Sequence, residues 1–440
     1  MKKILAILLA GMMTATAFAG CGGGETSSQA SGESSNTDSS AAEVTGSVVD
    51  ESYFGDENNA TLKVWAPDAA VELVKKQVED FKKAYPNKTF NISVVAQGEN
   101  DAATQILNDA TVAADVFAFP SDQLNKLVDA GVMAPVAFVD QVTAMNDAET
   151  VKSATLKNAE GADTLYAYPE TNDNGYYLVY DNTVVSDDQA KTLEGVLEAC
   201  KAAGKKFIMD AGNGYFSCLY LFTGGLETQG LEEDGETQKF NDYDIDKVTA
   251  TVKAFADLFK KYEKNFESNT TSAVVDGFKN GTTAAGIIGS WDVGSAKEAL
   301  GDNAGFAILP TINVNGTDTQ IINMFGYKFI GVNSQSKFPY TAQALAYYLT
   351  NEECQQERAE LLEWGPSNVN VANSDFVKNS QSMSAILAQS EFSVPQTIIV
   401  GTFWDPCAAL GTYMTEASND FTTENVKAEV EKCINNILDL

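Results

Sequence analysis

At 440 residues, with 44% hydrophobic and 10% aromatic content, the chain is long enough for two cores and apolar enough to fill them. Its 29 basic and 61 acidic residues give a formal net charge of −32, which argues against binding nucleic acid and against docking on anionic lipid through a basic patch. It has no histidine, which excludes Ser–His and Cys–His catalysis and zinc sites built on imidazole. A GxxxxGK(S/T) loop and a GxGxxG turn after a strand are also absent.

The N-terminus reads as an export signal over residues 1–20. Lys2 and Lys3 form a basic start, and Ile4 to Ala19 form an apolar stretch too short for a comfortable membrane span. Two cleavage sites are legible. Ala17-Phe18-Ala19 suits ordinary signal peptidase, and Phe18-Ala19-Gly20-Cys21 resembles a bacterial lipobox with phenylalanine in the usual leucine position. Gly22-Gly23-Gly24 then opens a run rich in Ser, Thr, Gly, Asn and Glu. Residues 21–60 are therefore expected to be a flexible linker anchored by lipid on Cys21, with an r.m.s. reach of roughly 35 Å. The other cysteines, Cys200, Cys218, Cys354, Cys407 and Cys433, are widely spaced, odd in number and without CxxC. They are expected to be small buried apolar residues.

From Thr61 the texture becomes that of alternating strands and helices. Thr61–Trp65 reads as a strand, followed by a helix with Val71, Val74, Val78, Phe81 and Tyr85 on one face, Asp68 placed to cap it and Pro86 beyond its end. Strand 90–95, a helix around 102–110, strand 115–119 and a helix capped by Ser121 and ending at Gly131 come next. A second block has strand 176–180, helix 193–203, strand 205–209, a helical stretch over 214–222 and a long amphipathic helix over 244–262 burying Val248, Val252, Phe255 and Phe259. Strands 284–288 and 305–309 follow, and the last third is mainly helical, including 341–349, 403–417 and 424–438. This order predicts an α/β protein of two lobes, each a mostly parallel sheet flanked by helices, with a ligand cleft between them.

At this point the chain resembles the extracellular solute-binding proteins of the maltose/maltodextrin-binding type. The segment Asp115-Val116-Phe117-Ala118-Phe119-Pro120-Ser121-Asp122 with Ala130-Gly131 carries the resemblance, as does Leu165-Tyr166-Ala167-Tyr168-Pro169 followed by Asp173 and Leu178-Val179-Tyr180-Asp181. Phe278-Lys279-Asn280-Gly281 with Gly289-Ser290-Trp291, Phe306–Pro310, and Thr402-Phe403-Trp404 complete five blocks in the family's order. The resemblance implies the two-lobed type II periplasmic-binding-protein fold. Residues 61–172 plus 327–375 would form one lobe, and 173–326 plus 376–440 the other. It implies a monomeric lipoprotein on the outer face of the cytoplasmic membrane that delivers maltose or maltooligosaccharides to ABC permease subunits, with no catalysis, cofactor or metal.

Residue by residue, it puts Trp291, Trp404 and Tyr215 under glucose rings and Asp122 and Asp173 against sugar hydroxyls. Asn213 and Phe216 flank Tyr215, Asn174 follows Asp173, Phe119 stands where the family's maltose receptor has tryptophan, and Gln123 replaces an arginine. These types suit a sugar, whose C–H faces match aromatic platforms and whose hydroxyl rim matches Asp and Asn. Bland readings stand beside them. Trp65 reads as core, Trp364 is open between core and site, 170–175 reads as an Asx-rich turn, and of Tyr176, Tyr177 and Tyr180 at most one face can see ligand. A different oligosaccharide, a carboxylate glycosidase using Asp122 with Asp173 or Asp292, and a surface adhesin are the competing readings.

Overall fold

The computed structural model describes residues 48–232, 237–396 and 399–439. The expected signal peptide, Cys21 and the linker as far as residue 47 lie outside the described residues.

Apolar alternation sets the first strand. Asn59–Ala66 (β1) buries every second residue along most of its length, pairing in parallel with Thr89–Ala96 (β2) and with Val116–Pro120 (β3). All of β3 is buried, as a strand covered on both faces must be. The helix Val71–Ala84 crosses between β1 and β2, burying Leu73, Val74, Val78 and Phe81. Asp68 does not cap it. A 3-10 turn, Asp68–Ala70, intervenes after Pro67 and keeps that carboxylate away from the helix N-terminus.

The chain then runs through Tyr168–Asn174 (β4), turns at Gly175 and enters a second sheet. The segment expected to be a turn is therefore mostly strand: β4 pairs antiparallel with a later strand of the first sheet, and Thr171 and Asp173 are buried. The second sheet takes Tyr176–Asp181 (β5), Lys206–Met209 (β6), Phe266–Ser268 (β7), Thr283–Gly289 (β8) and Ala304–Ala307 (β9), in the order β7-β6-β8-β5-β9. β6 runs parallel to β7 and β8, while β5 runs antiparallel to β8 and β9. Asn323–Val332 (β10) returns to the first sheet, antiparallel to β3 and β4, and Ser393–Pro395 (β11) pairs with its first residues.

Each sheet has its own core. Phe81, Phe117, Phe119, Tyr347 and Trp364 belong to the first, and Phe207, Tyr220, Phe255, Phe403 and Cys433 to the second. A third cluster packs β5, β6 and β8 against the helix Gln381–Ser390 and Phe325 of β10. Cys200, Cys218, Cys354, Cys407 and Cys433 are all free and buried, as expected of small apolar residues. Among the described residues no helix is long and apolar enough to cross a membrane.

Candidate functional site

Equivalent turns deliver side chains from the two sheets. β3 ends at Pro120 and runs into a 3-10 turn, Ser121–Gln123, before the helix Leu124–Asp129. β8 ends at Gly289 and runs into a 3-10 turn, Ser290–Asp292, before the helix Val293–Leu300. The first turn presents Asp122 and Gln123, and the second presents Trp291. Ser121 does not cap the helix as expected. Its hydroxyl accepts from the Tyr327 amide at 3.2 Å and donates to the Gln396 carbonyl at 3.3 Å, because β10 and the strand after it lie alongside.

A third contribution follows β6. Asn213 caps the short helix Gly214–Ser217, its Oδ1 accepting from the Tyr215 amide at 3.0 Å. The helix Trp404–Thr415 packs directly on this turn, so closely that a Cβ on Gly214 would stand 2.1 Å from the Trp404 carbonyl oxygen. Glycine is what lets Tyr215 and Trp404 meet. Likewise, a Cβ on Gly289 would strike the Trp291 ring at 2.2 Å.

These elements enclose a cavity of about 300 Å³ lined by Asn100, Pro120, Asp122, Gln123, Asn174, Asn213, Tyr215, Phe216, Trp291, Gln396 and Trp404. Tyr215 lies at the centre of its aromatic wall, with ring centroids 6.1 Å from Trp291, 6.2 Å from Trp404 and 5.5 Å from Phe216. Its hydroxyl donates to the Asn174 backbone carbonyl at 3.0 Å, so the wall of the second sheet is tied to the end of β4. Asn174 Nδ2 donates to Gln396 Oε1 at 2.7 Å, and Gln396 Nε2 donates to Asp122 Oδ1 at 2.9 Å. Gln123 Nε2 donates to the other oxygen, Oδ2. Burial pushes the Asp122 carboxyl up to about 6, against the pull of the Gln123 amide and the charge of Lys126.

Two of the residues singled out from sequence stand elsewhere. Phe119 is 0% exposed and packs edge-on to Phe329 in the first core. Asp173 is 1% exposed, its Oδ2 accepting the Gly365 amide at 2.6 Å behind the cavity wall. There it faces Lys328, whose Nζ lies 2.8 Å from Glu99 Oε2, 5.3 Å from the Trp291 ring centre and 4.6 Å from that of Trp364. Burial opposes the charge on Lys328, but Glu99, Asp173 and Glu170 together outweigh it and raise its pKa. Trp364 is buried, and Trp65 packs half-buried on the first core.

Pro120 was read from the sequence as part of the block that ends β3, whereas Asn100 and Gln396 were not singled out. Asn100 lies in the first turn of the helix Glu99–Asn108, and Gln396 is brought in by β11, a three-residue strand without a periodic signature. Nothing in the local sequence of Asn100 or Gln396 separates them from other polar residues.

Two α/β lobes whose strand ends surround one aromatic cavity with a hydrogen-bonded amide and carboxylate rim define a protein that captures a small ligand. The chain belongs to the family described as bacterial extracellular solute-binding protein, whose model matches residues 76–385. A protein solved with acarbose is 26% identical with a TM-score of 0.76, covering 87% of this chain and 99% of that one. The maltodextrin binding protein of L. casei BL23, solved without ligand, is 24% identical with a TM-score of 0.71 over 86% of this chain and 99% of that one. The maltose-maltodextrin binding protein of Alicyclobacillus acidocaldarius is 20% identical with a TM-score of 0.70 over 86% and 100%. These likenesses establish the two-lobed type II fold. The family and these neighbours are binding proteins rather than enzymes. No curated protein sequence matches the chain.

Proposed function

We propose that the chain is the substrate-capturing lipoprotein of an ABC sugar importer, taking maltose or short maltooligosaccharides into this cavity and passing them to permease subunits. The observation that carries the reading is the convergence of Trp291, Trp404 and Tyr215 on the Asp122–Gln396–Asn174 hydrogen-bond chain in one cavity of about 300 Å³. Flat π-faces suit the C–H faces of a pyranose, and the amide and carboxylate rim suits its hydroxyls. The ligands of the structural neighbours, acarbose and maltodextrin, direct the choice towards α-linked glucose. A two-carboxylate hydrolase is disfavoured because Asp122 is the one acidic residue among the described residues that line the cavity, Asp173 being sealed behind it.

A thermal-shift panel of oligosaccharides tests the ligand class. At a hundredfold excess over Kd a ligand stabilises the native state by about 2.7 kcal/mol, so maltose to maltotetraose should raise the Tm by a few degrees. A rise with a β-linked or non-glucose oligosaccharide alone overturns the maltooligosaccharide assignment but keeps the receptor. The anchor rests on Phe18-Ala19-Gly20-Cys21 and the polar run after it. Cys21→Ala should appear in the culture medium, and a variant that stays with the membrane as firmly as wild type overturns the lipoprotein reading.

A further inference from the structure

The one carboxylate among the described residues lining the cavity has no cationic partner there. Asp122 forms no ion pair among the described residues; its protein partners are the neutral amides of Gln123 and Gln396. The cation acting on it is Lys126, exposed on the following helix. A carboxylate only accepts, so both glutamines must turn their NH2 groups towards it and their oxygens away. Gln396 Oε1 is then satisfied by Asn174. Gln123 Oε1 is not: the residue is 9% exposed and lines the cavity, and this oxygen, itself buried, has no hydrogen-bond partner among the described residues. Lys328, behind Trp291, adds no free positive charge because Glu99, Asp173 and Glu170 surround it.

A sugar hydroxyl brings one donor and no charge to this corner. An ammonium brings three donors, no acceptor and the missing charge, and hydrogen bonds to a charged partner are roughly twice as strong as neutral ones. We propose that the site prefers an oligosaccharide carrying a protonated amine, an amino-sugar unit seated against Asp122 and Gln123, over its all-hydroxyl counterpart. This rests on the cavity being the sugar site, and it narrows the substrate class of that site.

The test is calorimetric titration, at neutral pH, of maltotriose and of three analogues, each with the 2-hydroxyl of one ring replaced by an amino group. At least one analogue should bind about tenfold tighter than maltotriose, and N-acetylating its nitrogen should abolish the gain. The readout is the affinity ratio within one protein, which cancels general damage to the site. That ratio should collapse towards one in Asp122→Asn, and also in Gln123→Arg, which keeps the carboxylate but gives it an internal cation. Maltotriose binding as tightly as every analogue overturns the preference and leaves the sugar site standing, as does a ratio that persists in both variants. Binding of neither kind of sugar overturns the reading of the cavity and this inference with it.

Discussion

Trp404 is expected to carry a large share of the binding energy in the site. A tryptophan side chain buries on the order of 200 Å², and at about 25 cal/mol per Å² even half of that is about 2–3 kcal/mol. Trp404→Ala should therefore weaken sugar binding by roughly 30- to 150-fold, at 1.4 kcal/mol per decade, while Trp404→Phe should lose much less. Titration of both variants checks this, and unchanged affinity in a folded Trp404→Ala removes the platform role. Asp122 has a different signature. Its carboxyl titrates at about 6 in the folded chain against an ordinary 3.8, so between those values the native state holds a proton that the unfolded chain has released. The contribution of this group to stability is thus present below 3.8 and lost as pH rises through about 6. Asp122→Asn abolishes the titration. The Tm difference, variant minus wild type, should grow as pH rises across that window and level off above it; a difference that stays flat contradicts the burial argument.

At the scale of elements, the site depends on how closely the helix Trp404–Thr415 approaches the helix Gly214–Ser217. Gly214→Ala sets a Cβ against the Trp404 backbone carbonyl rather than a movable side chain. Such overpacking typically costs about 1–3 kcal/mol. Both the Tm and the sugar affinity should drop, because Tyr215 and Trp404 must separate; a lowered Tm with unchanged affinity shows that their spacing does not matter. Most elements were legible in the sequence, since the helical period marks Val71–Ala84 and Ile245–Lys261 and apolar runs mark β3 and β8. β4 was not. Its Glu-Thr-Asn-Asp-Asn composition is that of a turn, and only β10, more than a hundred residues on, makes it a strand by satisfying its backbone. β10 was itself obscured by Gly326 and Lys328 within an apolar run. The same division holds in the site. The aromatics and Asp122 announce themselves through bulk, chemistry and position after a strand. Gln396 reaches Asp122 only through the tertiary pairing of β11, which no local pattern encodes. Asp173 has the right chemistry for a sugar, and its burial depends on Gly365 and Lys328, both distant in sequence.

At the scale of the whole molecule, the chain passes between the two sheets at Gly175 and again between β9 and β10, and passes back to the second sheet's side before the helix Gln381–Ser390. Several crossings of this kind suit a hinge that closes the lobes about a ligand without chemistry. Small-angle scattering with saturating maltotriose should show a smaller radius of gyration, and an unchanged profile despite proven binding argues for a preformed site. The central claim, capture of an α-linked oligosaccharide in the aromatic cavity without reaction, is tested most directly by calorimetric titration of maltotriose into the wild-type protein with recovery of the sugar afterwards. The expected result is saturable binding at one site per chain, with the trisaccharide recovered intact. No heat of binding from maltose through maltotetraose, or a sugar recovered as shorter products, would contradict it.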